Sequence, residues 1–315
     1  MAAYIARRLL GIIPLLLIIS FAVFALVLAI PGDPARTIAG GLDASDERVA
    51  EVRDELGLDD GLVTQYVRWL GDVLSGDLGS SLFNGRTVTS ELSARFPVTL
   101  SLAIGAVVFA TLIGLPLGIV AGMRPGSFID RAIGVGTSFG IALPDFFLGT
   151  ALVVLFAVNR SWLPARGYVD LAVDPWEWFR HLVIPWIALG VSAAASLARQ
   201  VRGAMIETLE ADYVRTARAK GLGERRVIGR HALKNALTPA LTVIGLQFAY
   251  LLGGTFIIEN IFSLPGVGQY MLAAITSRDL PVIQGVVLLV AVIFVLTNLV
   301  VDVLYGVVNP KVRVA

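Results

Sequence analysis

The sequence predicts an all-α protein that crosses a membrane about six times, with short amphipathic helices outside the spans. Three observations carry that prediction. The chain is 56% hydrophobic, with a mean hydropathy of +0.79, well above a soluble domain. The apolar residues gather into runs long enough to span a bilayer. Basic residues concentrate in alternate connections between those runs. Net charge is only +1, so the placement of charge is informative and its total is not. Cysteine is absent, which removes disulfide frames, thiolate metal sites and thiol nucleophiles.

A span needs roughly 20 apolar residues. The candidate runs are residues 9–30, 97–122, 132–158, 182–198, 241–258 and 283–307. Arg7 and Arg8 precede the first run, as they would a signal peptide. That run exceeds the usual apolar core of about 7–15 residues and no A-x-A site follows, so it reads as an uncleaved span. Basic residues then set the orientation. Arg7 and Arg8, Arg124 and Arg131, the loop from Arg199 to Lys234, and Lys311 and Arg313 all fall on one side. The opposite connections hold arginine more thinly, at Arg160, Arg166, Arg180 and Arg278. The positive-inside rule puts both termini in the cytoplasm.

Residues 31–96 then lie outside. Their first half is acidic, yet SDERVAEVRDELGL repeats apolar residues at helical spacing through Val49, Val52 and Leu56. Ser45 is placed to cap this helix and Gly57 to stop it. LVTQYVRWLGDVL repeats the pattern through Leu62, Tyr66, Trp69 and Val73. The expected organisation is an N-terminus and first span (1–30), an external segment (31–96) and a core of five spans (97–315) with a cytoplasmic loop (199–239).

Two enzyme motifs are tested and rejected. GTSFG (136–140) matches the serine-hydrolase elbow, but it lies inside an apolar span rather than at a strand-to-helix turn. The only histidines, His181 and His231, fall on opposite sides of the membrane, so no base reaches Ser138. These glycines, like Gly114, Gly118 and Gly122, read as small residues that let helices approach closely. None of the lysines (Lys220, Lys234, Lys311) follows a glycine, so no P-loop is present and any ATP must be bound by another subunit. No metal site is expected.

Asp145 is the clearest acid within a span. It is either functional or it satisfies backbone donors freed by Pro144. Gln247, Tyr250 and Gln284 are further candidates for a translocation path, or for hydrogen bonds between helices. In the basic loop, Met205, Leu209, Tyr213 and Ala217 recur at helical spacing, and Gly221 and Gly223 supply a turn. A second helix over 224–237 follows, and Pro239 opens the fifth span. Glu207, Glu210, Asp212 and Glu224 interrupt the positive charge, which argues against nucleic acid. The pattern points to a docking element for a soluble cytoplasmic partner.

At this loop the chain resembles the membrane subunit of ABC importers of the dipeptide/oligopeptide/nickel permease group. DYVRTARAKGL (212–222) followed by HALKNAL (231–237) is similar to that group's E-A-A loop. Gly221 and Leu233 keep their places. Arg215, Thr216 and Ala217 stand at the E-A-A positions, and His231 and Lys234 replace the isoleucine and proline. The group's usual glutamate contact therefore does not carry over to Arg215. PGDP, LSGDLGSS, RFPVTLSLA, HLVIP, IENIFSLPGVG, RDLPVIQG and NLVVDVLYG extend the resemblance in order along nearly the whole chain.

The resemblance implies a type I importer permease fold in a bacterial inner (plasma) membrane. It implies a second homologous permease subunit, with a heterodimer expected. Two cytoplasmic ATPase subunits, or one fused ATPase, would hold ATP and Mg, and an external solute-binding protein would deliver substrate. It implies an ATPase-docking loop of Arg215, Thr216, Ala217, Lys220, Gly221, Leu222, Gly223 and Glu224, with a docking helix around 216–224. Leu264, Pro265 and Gly266, in the outer loop 259–281, are candidates to contact the binding protein. Short peptides are the implied cargo, with nickel chelates, haem or glutathione as alternatives. A stand-alone secondary transporter is disfavoured because the spans show no duplicated halves.

Overall fold

A computed structural model describes residues 2–29, 34–39, 44–55 and 57–308. The tail cations Lys311 and Arg313, Leu56 and most of PGDP lie outside the described residues. Among the described residues regular structure is helical, apart from one antiparallel bridge between Ser80 and Thr87. The helices are α1 (Ala2–Ala29), α2 (Pro34–Ala39), α3 (Asp46–Glu55), α4 (Leu62–Leu74), α5 (Val88–Met123), α6 (Phe128–Ala142), α7 (Asp145–Leu152) and α8 (Pro175–Glu210). They continue as α9 (Asp212–Ala219), α10 (Glu224–Arg226), α11 (Leu233–Gly254), α12 (Phe256–Ile261), α13 (Val267–Ser277) and α14 (Leu280–Val308). The segments Val88–Met123, Pro175–Glu210, Glu224–Gly254 and Leu280–Val303 are each long and apolar enough to cross a membrane. A bent pair, Phe128–Ala142 with Asp145–Val158, is long and apolar enough to count as a fifth span if its two helices are taken as one, and a shorter apolar stretch, Leu10–Ala25, lies in α1. The fold is an all-α polytopic one.

The chain divides into two compact units, Ala6–Phe96 with Tyr270–Val292, and Met1–Ile5 with Pro97–Gln269 and Ile293–Ala315. In the first of these, Ser45 caps α3 as its sequence predicts, accepting the Arg48 N–H at 3.3 Å. Gly57 takes φ +59°, the left-handed conformation that ends such helices. Val49 and Val52 are buried against Ala35 of α2. The aromatic face of α4 packs on α1. The Tyr66 hydroxyl lies 2.8 Å from Ser20 Oγ, its ring meets Phe21 edge-on, and Trp69 lies against Phe24. The chain after α4 is pinned by Asp279, which accepts from Ser81 Oγ at 2.5 Å and from the Leu82 N–H at 3.2 Å.

In the second unit α5 and α8 approach through small residues. A Cβ added at Gly114 would lie 2.5 Å from the Ala194 oxygen, one at Gly118 2.6 Å from the Ala198 oxygen, and one at Gly122 2.5 Å from Met205 Cβ. These three glycines therefore bring two backbones into contact, as their four-residue spacing predicts. The reading holds only partly for GTSFG: Gly140 packs on Ala195, whereas Gly136 meets nothing within 4 Å. α8 begins where Asp174 accepts the N–H groups of Trp176 and Glu177, with Pro175 in the first turn.

Two expectations are corrected. The run 132–158 is not one straight span: α6 and α7 meet at 97°. Leu143 is forced to an extended ψ of 122° by the proline that follows it, so helical hydrogen bonding stops and restarts at Asp145. The helix expected over 224–237 is not separate from the fifth span. Glu224–Gly254 is helical throughout, with a widened turn at Val227–Ala232, and Pro239 sits inside α11. Membrane helices tolerate such a proline because neighbouring groups satisfy the freed carbonyl.

Candidate functional site

The loop between α8 and α11 folds into a tight hairpin. α8 runs to Glu210, well into the segment 199–239 that its charge marks as loop. Ala211 turns extended (φ −65°, ψ 144°), and α9 restarts at Asp212. The segment 216–224 holds the last turn of α9 and then the glycine turn, so the helix at this position is Asp212–Ala219. Gly221 adopts φ +78°, and the Gly221 and Leu222 N–H groups close back on the carbonyls of Arg218 and Ala217. Gly223 then leads into α10 with φ −60° and ψ 143°.

One charged side chain locks this turn. Arg218 donates to both carboxylate oxygens of Glu224, at 3.2 and 2.6 Å, and to the Leu209 carbonyl at 3.3 Å. A bidentate pair of this kind fixes direction as well as distance. Beneath it Val214, Ala217 and Val227 form a small buried cluster, joined by Leu209 and Leu222. The outward surface is therefore Asp212, Tyr213, Arg215, Thr216, Lys220, Gly221 and Gly223. Ala217 belongs to the hairpin's interior and Leu222 is half-buried, whereas Arg215 and Thr216 are exposed. Glu224 is exposed but committed to Arg218.

The path candidates separate. Asp145 begins α7 and accepts a hydrogen bond from Ser192 Oγ of α8 at 3.0 Å. Gln284 directs its amide to the Val23 carbonyl of α1 at 3.4 Å, the helix-to-helix bond its sequence position allows. Tyr250 is 70% exposed and Gln247 half-buried on α11.

Sequence reasoning missed three groups. Arg199 reads as the first cation of a loop, yet on α8 it donates to Thr137 Oγ1 at 3.3 Å and Ser138 Oγ at 2.7 Å of α6. Arg202 grips Asp130 through Nε and Nη2 at 2.5 and 2.8 Å, and the Gly126 N–H adds a bond at 2.8 Å. The available signal was the helical spacing of Ser192, Arg199 and Arg202 on one helix.

The third is Glu259, which is fully buried. It accepts from Thr99 Oγ1 at 2.7 Å, Thr255 Oγ1 at 2.8 Å and the Gln269 N–H at 2.9 Å, while Thr99 Oγ1 accepts from the Val267 N–H at 2.9 Å. Any side chain at Gly266 would collide with this carboxylate, and one at Gly268 would meet Phe256 at 2.5 Å. The loop SLPGVG thus wraps the glutamate. Leu264 and Gly266 are buried by this wrapping and only Pro265, with Ser263, is exposed.

These features define an all-α, multi-pass membrane protein with an exposed helical hairpin between two of its long apolar helices. Two family models match the chain. "Binding-protein-dependent transport system inner membrane component" covers residues 114–314, and its N-terminal counterpart, "Binding-prot-dependent transport system membrane comp, N-term", covers residues 1–103. Curated relatives match along their whole length. A probable peptide ABC transporter permease protein, y4tP, of Sinorhizobium fredii is 41% identical over 99% of this chain and 100% of its own. The di/tripeptide transport system permease DppB of Pseudomonas aeruginosa is 41% identical, and the glutathione transport system permease GsiC of Salmonella paratyphi A 42%, each over 99% of both chains. Among solved structures, the inward-facing MetNI methionine ABC transporter shares the fold at a TM-score of 0.57 and 20% identity, over 69% of this chain and 96% of that one. The chain belongs to the family of binding-protein-dependent transport system inner membrane components, the permease subunits of ABC importers.

Proposed function

We propose that this permease forms the translocation path for short peptides, delivered by an external binding protein and driven by ATP hydrolysis on partner subunits. The observation that carries the reading is the hairpin: α9 and its glycine turn present an exposed face while fused to two spans. A partner that moves this face moves both spans with it, which is what switching between inward- and outward-open states requires. The chain then needs no nucleotide or metal itself, because ATP and Mg belong to the ATPase pair. The cargo assignment draws on relatives named for peptide, di/tripeptide and glutathione transport. Nickel chelates or haem are the other cargo classes.

Within this reading a second permease completes the path as a heterodimer. Both termini and the hairpin face the cytoplasm, and the Pro265 corner faces the binding protein. The test is uptake in proteoliposomes that hold the full transporter and its binding protein. Labelled di- and tripeptides should accumulate in an ATP-dependent way and compete with one another. Accumulation of a nickel chelate or haem with no uptake of peptides would overturn the cargo assignment.

A further inference from the structure

We infer that α6, α7 and α8 carry a polar seam that holds a short zwitterionic peptide in transit, its carboxylate at Arg199 and its ammonium at Asp145. The inference rests on the peptide reading above and assigns the residues that would do the holding. Ser192 and Arg199 lie two turns apart on one face of α8, about 10 Å at a rise of 1.5 Å per residue. Both point at the α6–α7 pair. Ser192 Oγ donates to Asp145 at 3.0 Å, and Arg199 donates to Ser138 Oγ at 2.7 Å and Thr137 Oγ1 at 3.3 Å.

The two charges differ from their neighbours in one respect. Arg202, one turn further along α8, is neutralised by Asp130. Among the described residues, neither Arg199 nor Asp145 has an opposite charge within ion-pairing distance; hydroxyls hold both in place without cancelling them. Charges inside a membrane span are costly unless paired or facing a water-filled path, so such residues mark substrate routes. Arg199 is exposed and Asp145 half-buried, so a ligand can reach both. A cleft of ≈ 450 Å³ opens beside Arg199, lined also by Asp130, Arg131, Thr137 and Arg202; Asp145 lies outside its lining. That is within the range of small-ligand sites.

The cation and the anion are anchored at points about two turns apart along α8, Asp145 through Ser192, and so complement a molecule with the reverse arrangement. Three extended residues reach about 10 Å, so the termini of a tripeptide match the spacing. Each terminus would supply the counter-charge its partner lacks. Because hydroxyls already hold both side chains, release is as accessible as capture, as a transport path requires.

The purified permease–ATPase complex, without binding protein, should bind trialanine, with trialanine amide and N-acetyl-trialanine as probes of each terminus. Arg199→Gln should weaken trialanine binding about tenfold and leave trialanine amide unchanged. Asp145→Asn should weaken trialanine similarly and leave N-acetyl-trialanine unchanged. Arg199→Lys should restore most of the affinity, which separates a charge requirement from misfolding. Equal loss for all three peptides, or no binding of any of them to the wild type, overturns the seam. ATP-driven peptide uptake by the reconstituted wild type would then still leave the transport reading standing.

Discussion

Glu259→Ala should sharply lower the yield and thermal midpoint of folded permease. The substitution strands the Thr99 and Thr255 hydroxyls and the Gln269 N–H, all of which donate to the one buried carboxylate. Each buried polar group left without a partner costs about 1–3 kcal/mol, so a loss on the order of 4 kcal/mol is expected. The void left under Gly266 and Gly268 adds to it, since both glycines exist to admit this side chain. Glu259→Gln keeps the shape and one acceptor oxygen, and should lose roughly half as much. Size-exclusion profiles of a fluorescent fusion, with thermal midpoints in detergent, check the order: wild type above Gln, Gln above Ala. Wild-type yield and midpoint for the alanine variant would remove Glu259 as the organiser of this loop.

Gly221→Pro should leave a permease that inserts and assembles but no longer couples ATP hydrolysis to uptake. Gly221 sits at φ +78°, and proline is fixed near −65°, so the turn between α9 and α10 must reorganise. The Arg218–Glu224 bridge across that turn is then lost along with the position of the exposed α9 face. Stimulation of ATP hydrolysis by loaded binding protein is the readout; it should fall to the basal rate. Ala217→Asp is a poorer test than the E-A-A alignment suggests, because Ala217 is packed with Val214 and Val227 and an aspartate there unseats the hairpin itself. Thr216→Asp, on the outward face, probes docking alone.

Which features could be read from the sequence follows from which forces act locally. The Ser45 cap, the Gly114–Gly118–Gly122 spacing and the Gly221 turn are local patterns, and each appears in the structure. Pro144 marked an interruption but not its size: apolar composition continues across it, and hydropathy, which measures transfer into lipid, is blind to a 97° turn. Arg199 and Arg202 read as loop because they are charged. Their helix continues to Glu210, since Asp130 and the α6 hydroxyls absorb those charges from a partner about 60–70 residues away. Glu259 lay in a segment that reads as an exposed loop. Nothing local announces that two glycines downstream leave a cavity shaped for its carboxylate.

In the function proposed above, the α9 hairpin and the Pro265 corner face two different partners on opposite sides of the membrane. A photo-crosslinking amino acid placed at position 216, and separately at position 265, tests it most directly in the assembled transporter. Both positions are exposed, so neither substitution disturbs packing. The account predicts an adduct with the ATPase subunit from position 216 and with the binding protein from position 265. Adducts with the partners exchanged, or an ATPase adduct from neither position, would contradict it.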